Sequence, residues 1–268
     1  MTSPSGKIEL RLLENVPASQ NAVPRLGFQV SYEGNPIVLP SPLGIRIYSQ
    51  TPVLGEGMRP ISSKKTSVDE PYLIPAFDGT GRNHYNGLVA EFQEESPLRR
   101  SLKIEVRVFD DGAALRYLFP ESFADKQFIV EEEETEIRFA ADGRVKASSN
   151  GSKIAPVPED TLLSAIPSKT QINIPFALEF PGLPQVVIGG VSSQGAFFHH
   201  PENGTTLLTR LASRCGPCGD GPPIDPRFKL EVRLPAKFPW LALLIGLSPV
   251  KGSDRMLNNL GRSNMVER

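Results

Sequence analysis

An all-β fold, a large antiparallel β-sandwich of two packed sheets, is predicted for this 268-residue chain by three observations. In residues 102–119, apolar side chains alternate through Leu102, Ile104, Val106 and Val108, and again through Ala113, Leu115, Tyr117 and Phe119. A period of two places each set on one strand face, and Asp111-Gly112 between them reads as the tight turn of a β-hairpin. Asp-Gly suits a type I′ turn, whose two central residues need positive φ. The second observation is the count of 23 Gly and 26 Pro, which weakens helices and suits a fold with many turns. The third is that short alternating runs bounded by Gly, Pro and Asp recur along most of the chain.

In chain order, strands are predicted at 7–13, 26–32, 45–48, 85–92, the hairpin pair, 128–130, 135–139, 176–180, 185–188, 196–199, 205–211, 228–234 and 241–247. That is more than one short sandwich holds, and points to two large sheets with long strands curved around one core. Turn-rich stretches lie at 35–36, 40–44, 52–60, 75–81, 148–158 and 215–226. With no sustained helical period, fixed repeat or long linker, residues 1–260 read as one domain and 261–268 as a polar tail. Ser253 is placed to cap a single helical turn that runs to Leu260.

Lys plus Arg (29) and Asp plus Glu (30) nearly cancel, so no overall field draws in nucleic acid or an anionic membrane. One Trp makes no extended stacking platform for single strands. No window offers the roughly 18 consecutive apolar residues of a spanning helix. The opening residues lack a basic segment followed by an apolar run and a small-residue cleavage site, so no secretory leader is read there. Localisation is not fixed by the sequence, and two cysteines three residues apart do not settle the redox compartment.

Candidate chemical groups are few. Cys215-Gly216-Pro217-Cys218 has the spacing of a thiol redox centre, but that chemistry needs the first Cys at a helix N-terminus, and Gly219, Gly221, Pro222, Pro223 and Pro226 follow at once. The pair reads as a loop with two thiols, a strained disulfide or half of a metal site. His199 and His200 would point to opposite faces of a strand, and His84 sits at a strand mouth beside Tyr85. The acidic run Glu131, Glu132, Glu133, Glu134 and Glu136 reads as a solvated edge. Glycoside hydrolysis needs two carboxylates held a set distance across a sugar, and spacing nominates no pair here. No nucleophile elbow, phosphate loop or metalloprotease helix is present, so no residue is assigned as catalytic.

The blocks 3–8, SYEGNPIVLPSPLGI at 31–45, HYNGLVAEFQE at 84–94, the hairpin 102–120, EETEIRF at 133–139, IPFALEFPGLPQVVI at 174–188, FPWLALLIG at 238–246 and LNNL at 257–260 together resemble the N-terminal domain of glycoside hydrolase family 97. The hairpin and the SPLG block are the specific ones. The resemblance implies a β-supersandwich that precedes a (β/α)₈ barrel, typically about 250 residues, which carries the catalytic carboxylates and is missing from this chain. It also implies α-glucoside or α-galactoside substrates, a periplasmic or secreted setting, and a Glu lent by the N-terminal domain to calcium. The matching stretch here runs Val187-Ile188-Gly189-Gly190-Val191, with Gly190 at the Glu position, and Leu241 stands where the family has Arg after Pro239-Trp240. A Gly offers no carboxylate to a cation that prefers oxygen ligands, so no metal site or cofactor is expected.

The expectation is a non-catalytic N-terminal β-sandwich domain associated with carbohydrate binding or processing, without activity of its own. Two alternatives stay open. One is a free-standing carbohydrate-binding module whose Tyr85, Tyr117 or Trp240 stacks on a pyranose ring. The other is a docking domain for a separate catalytic barrel, recognised by an exposed apolar patch.

Overall fold

The computed structural model describes residues 1–19, 23–74, 79–123, 126–148, 157–168, 170–191, 196–199, 204–211 and 230–246, with 256 and 260. The first strands are β1 (Ile8–Pro17), β2 (Pro24–Tyr32), β3 (Asn35–Pro42), β4 (Ile45–Ile47), β5 (Leu54–Ile74) and β6 (Gly79–Glu94). Next come β7 (Ser101–Phe109), β8 (Gly112–Phe119), β9 (Gln127–Glu133), β10 (Glu136–Arg138), β11 (Arg144–Ser148), β12 (Gln171–Asn173) and β13 (Phe176–Glu179). The last are β14 (Val186–Val191), β15 (Ala196–His199), β16 (Thr206–Leu211), β17 (Leu230–Arg233), β18 (Ala236–Lys237) and β19 (Trp240–Ile245). Every pairing between them is antiparallel, as the all-β expectation requires.

One hydrogen-bonded path runs β11-β13-β14-β19-β8-β7-β6-β5-β4-β9-β17, with β1, β2 and β3 joined through β2 to β5. The two halves of the sandwich are continuous through β5. Its first residues pair with β4 at Ile45–Leu54 and with β2 at Arg25–Glu56, and from Met58 onward it pairs with β6. Gly55 (φ 119°) and Gly57 (φ 58°) take backbone angles that L side chains avoid, and they make that turn-over. A smaller sheet, β10-β16-β15-β12, is tied to β3 by the bridge Val38–Phe139.

The main core forms between the halves, where Ile8, Phe28, Val30 and Ile45 meet Ile104, Val106, Leu115 and Phe119. A second cluster lies on the outer face of the β7–β8 hairpin: Tyr85, Phe109, Ala114, Val187, Trp240, Ala242 and Leu244, with Met256 and Leu260 upon it. Met256 and Leu260 are helical and fully buried, where the sequence predicts one helical turn; Ser253 lies outside the described residues.

Three sequence expectations need correction. β3 contains Pro36, Pro40 and Pro42, and β5 begins inside 52–60, so both strands occupy stretches read as turns. Proline is tolerated where its missing amide faces away from a partner; β3 pairs with β2 around bulges. The hairpin turn is Asp110-Asp111, because Phe109 pairs with Gly112. Gly112 is not among the described glycines with positive φ. It is needed for close approach instead: a Cβ there would lie 2.4 Å from the Leu243 carbonyl oxygen and 2.7 Å from Met256 Sδ.

Replacing Gly112 with Ala is therefore expected to cost about 1–3 kcal/mol, since the clash is with β19 backbone that has no free rotamer. Urea unfolding of Gly112→Ala measures it; a variant as stable as the parent would disprove the close-approach account. Gly34→Ala tests the other class of glycine, being strained only by its φ of 81°, with nothing near its Cβ.

Candidate functional site

The β7–β8 hairpin carries different chemistry on its two faces, and the three rings expected at a sugar site divide between them. Cross-strand register places Tyr85, Phe109 and Gly112 in one row on the outer face, and Gly87, Arg107, Ala114, Ala242 and Gly189 in the next. Small residues on both sides of Arg107 leave room for rings to lie across the sheet. Gly87 is a case in point, since a Cβ there would stand 3.2 Å from Tyr85 Cε2. The Arg107 guanidinium sits 4.9 Å from the centroids of both Tyr85 and Trp240, and that of Arg116 lies 4.3 Å from Trp240. Cations over aromatic faces are stabilised by the ring quadrupole, the more so when water is excluded.

Glu105 holds this stack together. Arg107 donates through Nε (3.0 Å) and Nη2 (2.7 Å) to its Oε1, and Arg116 donates through Nε to its Oε2 at 2.7 Å. Glu105 and Arg116 are directly opposed across the hairpin. Burial holds the Arg116 guanidinium below its ordinary pKa, with Glu105 opposing. Lys237 is lowered too, by desolvation and then by Arg116, and burial pushes the Tyr85 phenol up.

Trp240 is 1% exposed, Tyr117 3% and Tyr85 8%. None of these rings offers a free face, so the expected stacking on a pyranose is not open to them in this fold. Trp240 and Tyr85 are covered on the outer face, and Trp240 Nε1 is buried with no hydrogen-bond partner among the described residues. Tyr117 points the other way, into the main core.

Inside, Tyr117 is one member of a polar knot. Its hydroxyl accepts from the Gly44 amide at 3.0 Å and lies 2.6 Å from Thr135 Oγ1. The Thr135 amide donates to Thr209 Oγ1 at 3.1 Å, and that hydroxyl donates back to the Thr135 carbonyl. Gly44 also accepts from the Glu134 amide at 2.8 Å. Its missing side chain admits Arg25, whose Nη1 would stand 2.7 Å from a Cβ at this position.

The acidic run expected at a solvated edge is interior at Glu134 and Glu136 and half-buried at Glu131, Glu132 and Glu133. Glu134 (4% exposed) accepts from Arg25 Nη1 at 2.8 Å and pairs with Arg46, while Arg25 also pairs with Glu56. Glu136 (2% exposed) accepts from the Ser19 amide and hydroxyl and from Arg138 Nε. Desolvation, with Glu132 adding to it, pushes the Glu133 carboxyl up to about 7, against hydrogen bonds from Thr135 and Thr209 that favour the charged form. Glu134 and Glu136 are buried where the chain crosses from β9 in the large sheet to β10 in the small one.

The other candidates stay apart. His84 Nδ1 is 3.7 Å from Asp110 Oδ2, and Asp110 Oδ1 accepts from the Ser5 amide. His199 pairs with Gln171 and Leu208 in the small sheet. His200, Cys215, Cys218 and the tail 261–268 lie outside the described residues. Gly190 pairs with Leu241, and a Cβ on it would lie 3.1 Å from the Trp240 carbonyl and 3.2 Å from Ile174 Cδ1. A side chain there would need these neighbours to give by a few tenths of an ångström.

Comparison with known proteins gives a consistent result. Residues 1–188 match the family model for the glycosyl-hydrolase 97 N-terminal region. Among solved structures, the chain superimposes on a variant of a Glycoside Hydrolase Family 97 enzyme from Pseudoalteromonas sp. strain K8 with a TM-score of 0.73 at 15% identity, covering 91% of this chain and 35% of that one. A form of an enzyme of that family from the same strain in complex with panose gives 0.72 at 14%, covering the same shares. A β-arabinopyranosidase gives 0.70 at 17% identity, covering 91% of this chain and 39% of that one. At these identities the likeness is one of fold. No curated protein sequence matches.

Two outcomes follow. Glu134→Gln is expected to cost about 3 kcal/mol by leaving Arg25 buried and half-paired, whereas Arg46→Gln, at a half-exposed partner, should cost under about 1 kcal/mol; equal losses would refute the difference in burial. For Glu133, whose folded pKa lies above the unfolded one, the fold favours the protonated form. Its penalty is absent below the unfolded carboxylate pKa, grows as pH rises, and is complete above about 7. Thermal melts of Glu133→Gln across this range should lose that slope and show a gain at alkaline pH; an unchanged profile would exclude it.

Proposed function

Because the chain belongs to the glycosyl-hydrolase 97 N-terminal family, we propose that it is a non-catalytic β-sandwich domain that supports carbohydrate processing by packing beside a catalytic barrel. The observation that carries this reading is coverage: 91% of this chain corresponds to 35–39% of each matched enzyme. The chain spans about a third of their length, the share of one domain.

The chemistry of the described residues supports it. Glu105, Glu134 and Glu136 each hold one or two guanidinium groups, and a carboxylate so engaged is a poor proton donor or nucleophile. The proposed contribution is shape and rigidity. A sandwich with buried ion pairs on both sides of its central hairpin presents a stiff surface against which a barrel can close a pocket. The substrate class, an α-linked glucoside or galactoside, is carried over from the family resemblance.

The purified chain should show no hydrolysis of aryl α-glucosides or α-galactosides above the buffer rate, with or without calcium. Turnover removed by a point substitution in this chain would overturn the non-catalytic reading. Trp240→Ala is expected to lower stability by about 3–5 kcal/mol while leaving retention on immobilised glucans and galactans unchanged. Loss of glycan retention at full stability would favour the carbohydrate-binding module instead.

A further inference from the structure

Among the described residues, the outer edge of β5 is left unpaired beyond Met58. From Met58 to Ile74 this strand pairs with β6, and no other described strand pairs with that stretch. Residues 59–67 are all exposed, an unbroken run on both faces of the strand. An edge of that length leaves a row of main-chain donors and acceptors open, and natural proteins either guard such an edge or use it to pair with another strand.

The charges along it have an order that a guarding role does not require. The sequence reads Lys64-Lys65-Thr66-Ser67-Val68-Asp69-Glu70, with cations in the first half and anions in the second, symmetric about Ser67. In an antiparallel pairing of this edge with itself about a two-fold axis at Ser67, Lys64 stands opposite Glu70 of the second copy, Lys65 opposite Asp69, and Thr66 opposite Val68. Each pair falls on one face, because directly opposed residues share a face in an antiparallel ladder. By symmetry each contact occurs twice, giving four ion pairs. Moving the register two residues in either direction loses them: one way places Lys65 opposite Ser67, the other places it opposite Pro71. Among neighbours on the same ribbon, Asp69 accepts from Arg82 at 2.6 Å and Glu70 accepts from Asn83 at 3.0 Å. Both acids are exposed, so each keeps oxygen lone pairs for a second cation.

We infer that β5 is a self-pairing edge, and that two copies of this chain associate through it in the Ser67-centred register to form one continuous sheet across the two-fold axis. Pro71 has no amide to donate, and the Pro60–Ser62 bulge interrupts the strand at its other end, so the paired segment, symmetric about Ser67, runs over 64–70. A bounded, charge-matched segment favours this closed two-fold pair over open-ended stacking of edges.

The test is the oligomeric state of the purified full chain by sedimentation equilibrium. A dimer is expected, weakened by raised salt because its ion pairs are exposed. The double variant Lys64→Glu/Lys65→Asp should weaken dimerisation at least about tenfold, and adding Asp69→Lys and Glu70→Lys to it should restore the dimer. Register is read by Ser67→Cys in a Cys215→Ser/Cys218→Ser background. Opposed Cα atoms about 4.5–5.5 Å apart lie within disulfide reach, so mild oxidation should give a covalent dimer, and Ser62→Cys should not. A parent chain that stays monomeric would overturn the inference. So would a dimer insensitive to the charge reversal, or one that Ser67→Cys does not cross-link. Far-ultraviolet circular dichroism of each variant separates loss of pairing from loss of fold.

Discussion

Arg25 and Glu134 form a buried ion pair at the point where the chain passes between sheets, and much of the architecture is arranged around it. Two charges removed from water are costly unless each is hydrogen-bonded as well as paired. Here Arg25 has both Glu134 and Glu56, and Glu134 has Arg46 in addition. The space for the guanidinium exists because residue 44 is Gly. The backbone of that same Gly bonds to the Tyr117 hydroxyl and the Glu134 amide, which joins the hairpin of one half to the crossing strand of the other. The SPLG block at 41–44 and the hairpin meet at this knot.

The hairpin itself illustrates how one strand can serve two cores. β8 is buried along nearly its whole length: Leu115 and Tyr117 fill the main core, while Ala114 and Arg116 lie under the second cluster. An arginine on a covered face is tolerable only with its charge matched. Glu105 opposite it and the Trp240 ring above it do this together. The small residues around Arg107 are part of the same solution, since rings lying flat on a sheet need neighbours without side chains.

Among the described residues, Glu105, Glu134 and Glu136 are held in ion pairs and Tyr85, Tyr117 and Trp240 are packed. The described surfaces differ accordingly. The outer face of the hairpin is closed by Trp240, Met256 and Leu260, whereas β5 is exposed on both faces from 59 to 67. Any partner of this sandwich meets a body with buried ion pairs, and an edge whose character is set by main-chain groups and blocks of opposite charge.

What the sequence determined by itself was the periodic part. The alternation in 102–119 placed β7 and β8, and similar runs placed β1, β2, β6, β14 and β19 close to where they lie, because a period of two directly reports a half-buried strand. The Gly and Pro counts gave the fold class for the same kind of local reason. Strands with little apolar alternation escaped: β3 is rich in proline, and β5 from 59 to 67 is exposed on both faces, so no hydrophobic pattern marks it. The functional reading of Tyr85, Tyr117 and Trp240 depended on exposure, which is set by what lies across a face and not by the residue. The acidic run at 131–136 looked solvated because its partners, Arg25, Arg46 and Ser19, are distant in the chain. Only the tertiary structure could decide that Glu134 and Glu136 are interior, since burial of a charge is settled by long-range pairing, and local sequence carries no record of it.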